Sequence, residues 1–172
     1  MFKKLTTLFL AVAALTCGGQ AVAAHYVGGN LGAVQASFDN VGDADLVTAY
    51  GRLGTEFSEN FSGEVRLGTG IDDDTLKGVK VELEHFYGAY VRGGIPVGDI
   101  FFPYAVVGLT RAELQLSNRF ASTTESGTDV SFGIGTDIHL NANTDINLEY
   151  MNYYDKNDVS VEGFAVGVTY RF

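Results

Sequence analysis

Cysteine is almost missing from this chain: the single residue, Cys17, lies in the first twenty positions. Beyond them no disulfide can staple the fold and no thiolate can act as nucleophile or metal ligand. Proline occurs only twice, so little interrupts extended backbone, and tryptophan does not occur. Basic residues are scarce, 11 against 21 acidic ones, for a formal charge of −10. Nucleic-acid partners, which select for basic surfaces, are therefore excluded. A long apolar run is also lacking beyond the start of the chain, which excludes membrane-crossing helices of roughly 20 apolar residues.

What is present begins with a leader. Lys3 and Lys4 precede the apolar Leu5–Leu15 stretch, and Ala21-Val22-Ala23 offers small residues for cleavage. This is the pattern of a secretory signal peptide, expected at 1–23 with cleavage after Ala23 or Ala24. The alternative, lipoprotein processing at Cys17, has only Ala14-Leu15-Thr16 as a poor recognition sequence. Removing Lys3 and Lys4 takes the charge from −10 to −12. About 148 residues remain, the size of one domain.

That domain, 24–172, alternates. In Val159–Phe172 the residues Phe164, Val166, Val168, Tyr170 and Phe172 fall on one face, and Gly163, Ala165, Gly167, Thr169 and Arg171 on the other. A period of two is the mark of a β-strand with unlike faces. The same pattern predicts strands over His25–Ala36, Leu46–Phe57, Phe61–Ile71, Val79–Ile95, Phe101–Leu116, Asp129–Leu140 and Asp145–Tyr154. In the fourth, Leu83, His85 and Tyr87 share the apolar face and Glu82, Glu84 and Phe86 the other. In the fifth, adjacent Val106 and Val107 obscure the parity; Ala105, Val107 and Leu109 are taken as the apolar face. Connections after strands 2, 4, 6 and 7 are short. Those after strands 1, 3 and 5 are longer and more polar, with Ser117–Thr128 the longest.

Eight such strands in sequence predict an all-β, antiparallel, up-and-down barrel. A soluble barrel would turn the apolar face inward. Four features favour lipid outside: the aromatic last strand; Phe57, Phe61, Phe101, Phe102 and Phe172 beside the short turns, where an interfacial girdle belongs; a second face of Gly, Tyr and charges of both signs; and connections that differ between the two ends. An even strand number then puts both termini in the periplasm. The inward face carries Arg52, Glu56, Glu64, Arg66, Glu82, Glu84, Arg92, Asp137, Glu149 and Arg171. Eight strands leave room only for side chains, so these charges are expected to pair as a polar plug rather than line a wide pore. A narrow ion pathway is the alternative.

Catalytic patterns are weak. Ser131, Asp137 and His139 share a face, but Ser131 and His139 stand eight residues apart, about 26 Å along a strand, too far for a nucleophile and its base. His85, on the lipid face, lacks the serine and acid that an enzyme acting on lipid A would need there. Asp72-Asp73-Asp74, with Asp39, Asp43, Asp45, Asp155 and Asp158, makes one end acidic. The spacing fits no defined calcium loop, so solvated charge is expected, with divalent bridging to lipopolysaccharide phosphates as the alternative. No catalytic residue, metal site or cofactor is assigned.

The segments HYVGGNLGA, YGRLGTEFSENF, FYGAYVRGGIPVGDIFFPYAVVGLT, DVSFGIGTDIHLNANTDINLEY and GVTYRF together resemble the outer-membrane β-barrel domain family. Its members are small eight-stranded porin-like and opacity-protein-like barrels related to outer membrane protein A. The resemblance spans 24–172 and implies a monomer set in outer-membrane lipid and lipopolysaccharide. It also implies insertion by the outer-membrane assembly machinery, which would read Val166, Val168, Tyr170 and Phe172. Members act as anchors, adhesins, invasion or serum-resistance factors, and narrow channels. A wall-tethering domain beyond Phe172 is not expected, and the loops are short for a dedicated adhesin. The expected role is therefore non-enzymatic and structural, with possible loop contacts; a porin-like channel is the alternative and a lipid A-modifying enzyme a remote one. Mass spectrometry of the protein from outer membranes should give a mature chain starting at Ala24 or His25; a start at Cys17 carrying lipid would contradict the leader assignment.

Overall fold

A computed structural model describes residues 24–38, 42–76, 79–117, 122–156 and 159–172. The expected signal peptide, with Cys17, lies outside the described residues, as do Asp39, Asp158 and the side chains of Asp73, Asp74, Glu82 and Asp155. The strands are β1 (His25–Phe38), β2 (Gly42–Glu56), β3 (Phe61–Gly70), β4 (Asp73–Leu76), β5 (Val79–Gly94), β6 (Phe101–Ser117), β7 (Ser122–His139), β8 (Thr144–Lys156) and β9 (Val159–Arg171). Every pairing is antiparallel between neighbours, and β1 also pairs with β9, from Tyr26↔Arg171 to Phe38↔Val159. Both β3 and β4 pair with β5, so the two share one position in the wall and the barrel has eight positions. Phe172 N donates to the His25 carbonyl at 2.9 Å, closing the seam at the end where the chain's last residue lies.

The faces sort as the alternation demands. Outward side chains include Leu53, Leu67, Val91, Leu109, Ile134, Phe164 and Val168; Leu67 is 65% and Ile134 66% exposed. Inward stand Tyr26, Tyr50, Tyr90, Tyr104, Met151 and a set of charged residues. A water-soluble barrel would be built the other way round. Ala105, Val107 and Leu109 point out and Val106 in, which resolves the parity of β6. The apolar belt covers nine-residue stretches such as Phe101–Leu109 and Phe164–Phe172, the length a tilted strand needs to cross a bilayer, about 9–11 residues. One edge carries Phe57, Phe61, Phe101 and Phe172. Above the other edge the outward residues become polar and pair across strands. Gln35 donates to Asp45 at 3.2 Å, Arg111 to Ser126 at 3.0 Å and Tyr150 to Glu162 at 2.7 Å.

Two expectations need correction. The first concerns the long connections, Ser117–Thr128 above all. The strands continue past the belt as paired arms, with Ser117↔Ser122 and Phe38↔Gly42 still in register. Beyond the bilayer both faces meet water, so alternation disappears while the backbone ladder persists. The asymmetry between the ends therefore lies in projecting hairpin arms, opposed at the other end by the tight turns Phe57–Asn60, Ile95–Ile100 and Leu140–Asn143. Gly98, with φ of 65°, supplies the left-handed residue of the second turn. The second correction is on β5, whose register shifts between Leu83 and His85. The extra residue reverses the parity above it: Leu83 turns inward and is buried with Leu46, Tyr50, Phe86 and Ala165.

Inside, large side chains stand opposite glycines. Tyr26 faces Gly54, Tyr104 faces Gly135, Tyr90 faces Gly108 and Met151 faces Gly133 in the pairing register. A Cβ on Gly54 would lie 2.1 Å from the Tyr26 ring, and one on Gly135 2.5 Å from that of Tyr104. The ring lies across the bare backbone of its neighbour, so the narrow lumen is filled without collision. Gly135→Leu should cost about 1–3 kcal/mol by overpacking, read as a lower urea midpoint of the micelle-bound protein. Ile134→Leu, one residue away on the outer face, should leave the midpoint unchanged.

Candidate functional site

The lumen has tiers. Toward the hairpin arms it is closed by Leu46, Tyr50, Leu83, Phe86 and Ala165. The ring centroids of Tyr50 and Phe86 are 5.8 Å apart, edge to face. Below this layer come six charged side chains, each at most 4% exposed: Arg52, Arg66, Arg92, Glu64, Asp137 and Glu149. Three cations meet three carboxylates, so the tier is formally neutral.

Glu64 is its hub. It accepts from Arg66 Nε at 2.8 Å, from Arg92 Nη1 at 2.8 Å and from the Tyr26 hydroxyl at 2.8 Å, and Arg52 Nη1 lies 3.7 Å away. Arg66 turns its other edge to Glu149, both terminal nitrogens donating, one at 2.9 Å. This fork geometry is one that lysine does not provide. Glu149 also accepts from Tyr104 at 2.9 Å. Arg92 bonds Asp137 through Nη2 and stacks on Tyr104, its guanidinium carbon 3.7 Å from the ring centroid. Arg66 lies over Tyr90 at 4.4 Å. Arg52 completes the set with a hydrogen bond to Thr169 and an approach of 3.8 Å to Asp137. Asn147 donates to Asp137 at 2.7 Å, and Asn30 to Asn147 at 2.9 Å.

Nearer the termini a second group meets a cavity of about 340 Å³, lined by Tyr26, Glu56, Phe61, Arg92, His139 and Arg171 among others. Arg171 bonds Glu56 at 3.1 Å and Asp145 at 2.8 Å, and His139 Nδ1 lies 2.6 Å from Asp145. Of the six-charge tier, Arg92 and Asp137 are among the residues lining this cavity, and they bond one another.

Eight of the ten charges expected inside are therefore placed facing the lumen: Arg52, Glu56, Glu64, Arg66, Arg92, Asp137, Glu149 and Arg171. The side chain of Glu82 lies outside the described residues. Glu84 is a correction: the β5 bulge removes it from the inward set, and its carboxylate gathers with His85 and Glu113 on the outer wall. Sequence reasoning missed Asp145, which was in phase with Asn147 and Glu149 but was read only as the start of a strand. It also missed the part played by Tyr26, Tyr104 and Asn147 as hydrogen-bond partners of the charged tier, and by Asn30 as partner of Asn147. Ser131 bonds Thr110 at 2.5 Å and the Tyr153 carbonyl at 3.0 Å, while His139 bonds Asp145, so serine and histidine have separate partners.

An apolar belt, a closed ladder and a charge-filled interior define a transmembrane β-barrel with a packed lumen. The chain matches the model of the family described as "outer membrane protein beta-barrel domain" over residues 5–172. It belongs to that family and is an integral outer-membrane protein. Among solved structures it is similar to the Neisserial surface protein A, with a TM-score of 0.69 and 15% identity, covering 87% of this chain and 99% of that one. It is similar to Ail, the attachment invasion locus protein of Yersinia pestis, with a TM-score of 0.66, 15% identity and the same coverages. It is also similar to the N-terminal β-barrel domain of Pseudomonas aeruginosa OprF, with a TM-score of 0.62 and 14% identity, covering 84% and 97%. At these identities the likeness is one of fold. No curated protein matches the chain in sequence.

Removing Glu64 leaves three buried arginines to share two carboxylates, Asp137 and Glu149. Glu64→Ala should cost about 3–5 kcal/mol, the range for breaking a buried pair. Glu56→Ala, whose partner Arg171 is partly exposed, should cost at most about 1 kcal/mol. Urea unfolding of both variants in the same detergent checks the contrast, and equal costs would contradict the tiered description.

Proposed function

We propose that this protein is a non-enzymatic, non-conducting barrel that anchors hairpin arms at the outer-membrane surface. Supporting this reading above all is the double closure of the lumen, by the Tyr50–Leu83–Phe86 layer and by the six-charge tier beneath it. An ion entering from the cavity near the termini would have to displace Arg92 from both Glu64 and Asp137. Each bond is between full charges that are at most 4% exposed, where such contacts are strong.

On this reading the signal peptide is removed on export, both termini face the periplasm, and the arms Val34–Phe38/Gly42–Leu46 and Arg111–Ser117/Ser122–Thr128 reach outward. Exposed Val166, Val168, Tyr170 and Phe172 are the features the assembly machinery would engage, and the inserted protein is a monomer surrounded by lipid and lipopolysaccharide. Two similar structures are of a surface protein and an attachment invasion locus protein. That fits arms which meet outside partners, without naming one.

The competing channel reading draws on the 340 Å³ cavity. Planar-bilayer recording separates the two. The packed lumen should give no regular single-channel steps. Steps of constant size that vanish in Arg52→Ala or Glu64→Ala would overturn the anchor reading in favour of transport.

A further inference from the structure

The bulge on β5 gathers three ligand-type side chains on the outer wall. In a regular strand Glu84 and His85 would point to opposite faces. Here the register shift between Leu83 and His85 turns both toward the same place, and His85 is paired in register with Glu113 of β6. One donor atom from each of Glu84, His85 and Glu113 lies within 4.8 Å of the other two. The Thr69 hydroxyl donates to the Glu84 carbonyl at 2.6 Å and ties the bulge to β3.

We propose that Glu84, His85 and Glu113 form a binding site for one divalent transition-metal cation of the zinc type. The spacing suits the chemistry. His85 Nε2 and Glu113 Oε2 are 3.2 Å apart, close to the edge of about 3.3 Å in a tetrahedron with bonds of about 2.0 Å. Imidazole nitrogen selects zinc-like ions over calcium and magnesium, which prefer all-oxygen shells. Two carboxylates and a neutral imidazole carry a charge of −2, which one divalent ion cancels. Among the described residues no lysine or arginine pairs with Glu84 or Glu113, and Arg111, nearest along β6, turns to Ser126. Three protein ligands leave the fourth position for water, and the His85 side chain, 47% exposed, keeps that position accessible from outside. The site lies on the outer wall, separate from the lumen.

The test uses full-length mature protein without a polyhistidine tag, folded in zwitterionic detergent. Cobalt(II) is followed by its visible absorption, and zinc(II) by calorimetry. One equivalent should bind, with cobalt bands of tetrahedral intensity. His85→Gln, Glu84→Gln and Glu113→Gln should each weaken zinc binding at least tenfold, while His25→Gln and His139→Gln should leave it unchanged. All five variants should keep the heat-dependent gel mobility of the folded barrel, since the three ligands face away from the lumen. Unsaturable binding, affinity in His85→Gln equal to the parent, or equal competition by magnesium would each overturn the site.

Discussion

Lipid offers no hydrogen bonds, and that constraint shapes everything else in this molecule. A backbone amide or carbonyl within the bilayer must be satisfied by the protein itself. The chain meets the demand by returning its last strand to its first, from Tyr26↔Arg171 upward, and by letting Phe172 and His25 exchange bonds at the seam. Once the ladder is closed, the two faces have unlike surroundings, and the period-two pattern follows. Leu53, Leu109 and Val168 belong outside for the same reason that a soluble protein buries such residues.

Closure also sets the interior problem. Eight strands enclose an interior just wide enough for side chains to fill, and too wide to leave empty. The chain fills it with side chains that are large, polar and extensively hydrogen-bonded to one another. Arginine forks reach two carboxylates at once, and tyrosines contribute both ring area and a hydroxyl. Equal numbers of opposite charges in the sealed tier avoid the expense of an unpaired ion in a dry space. The glycines opposite Tyr26, Tyr90 and Tyr104 set aside the volume that this arrangement needs.

Much of this was legible in the sequence because the bilayer imposes a simple code. Alternation gave the strands within the belt, and charges in the inward phase gave most of the lumen set. Legibility ended where the code does. Above the bilayer both faces are wet, so the arms at Gly42–Asp45 and Ser122–Thr128 looked like loops. One bulge at Glu84 reversed the phase of β5, and neither a glycine nor a proline marks the place. Asp145 stands at the start of β8, next to a turn, where an acidic residue is ordinary, and only the approach of Arg171 and His139 from neighbouring strands gives it a role. Pairings between distant strands, such as Arg66 with Glu149, need the barrel to be closed before they exist.

The facing of bulky residues by glycine has a meaning for inheritance. A tyrosine on one strand and the bare position beside it behave as a single unit, because enlarging one requires shrinking the other. Drift in the lumen must then proceed by matched exchanges between neighbouring strands, while the oily exterior is free to wander among leucine, valine and isoleucine. Descendants of this gene should thus diverge quickly in their outer coat and conserve, strand by strand, the alternation of knob and gap within.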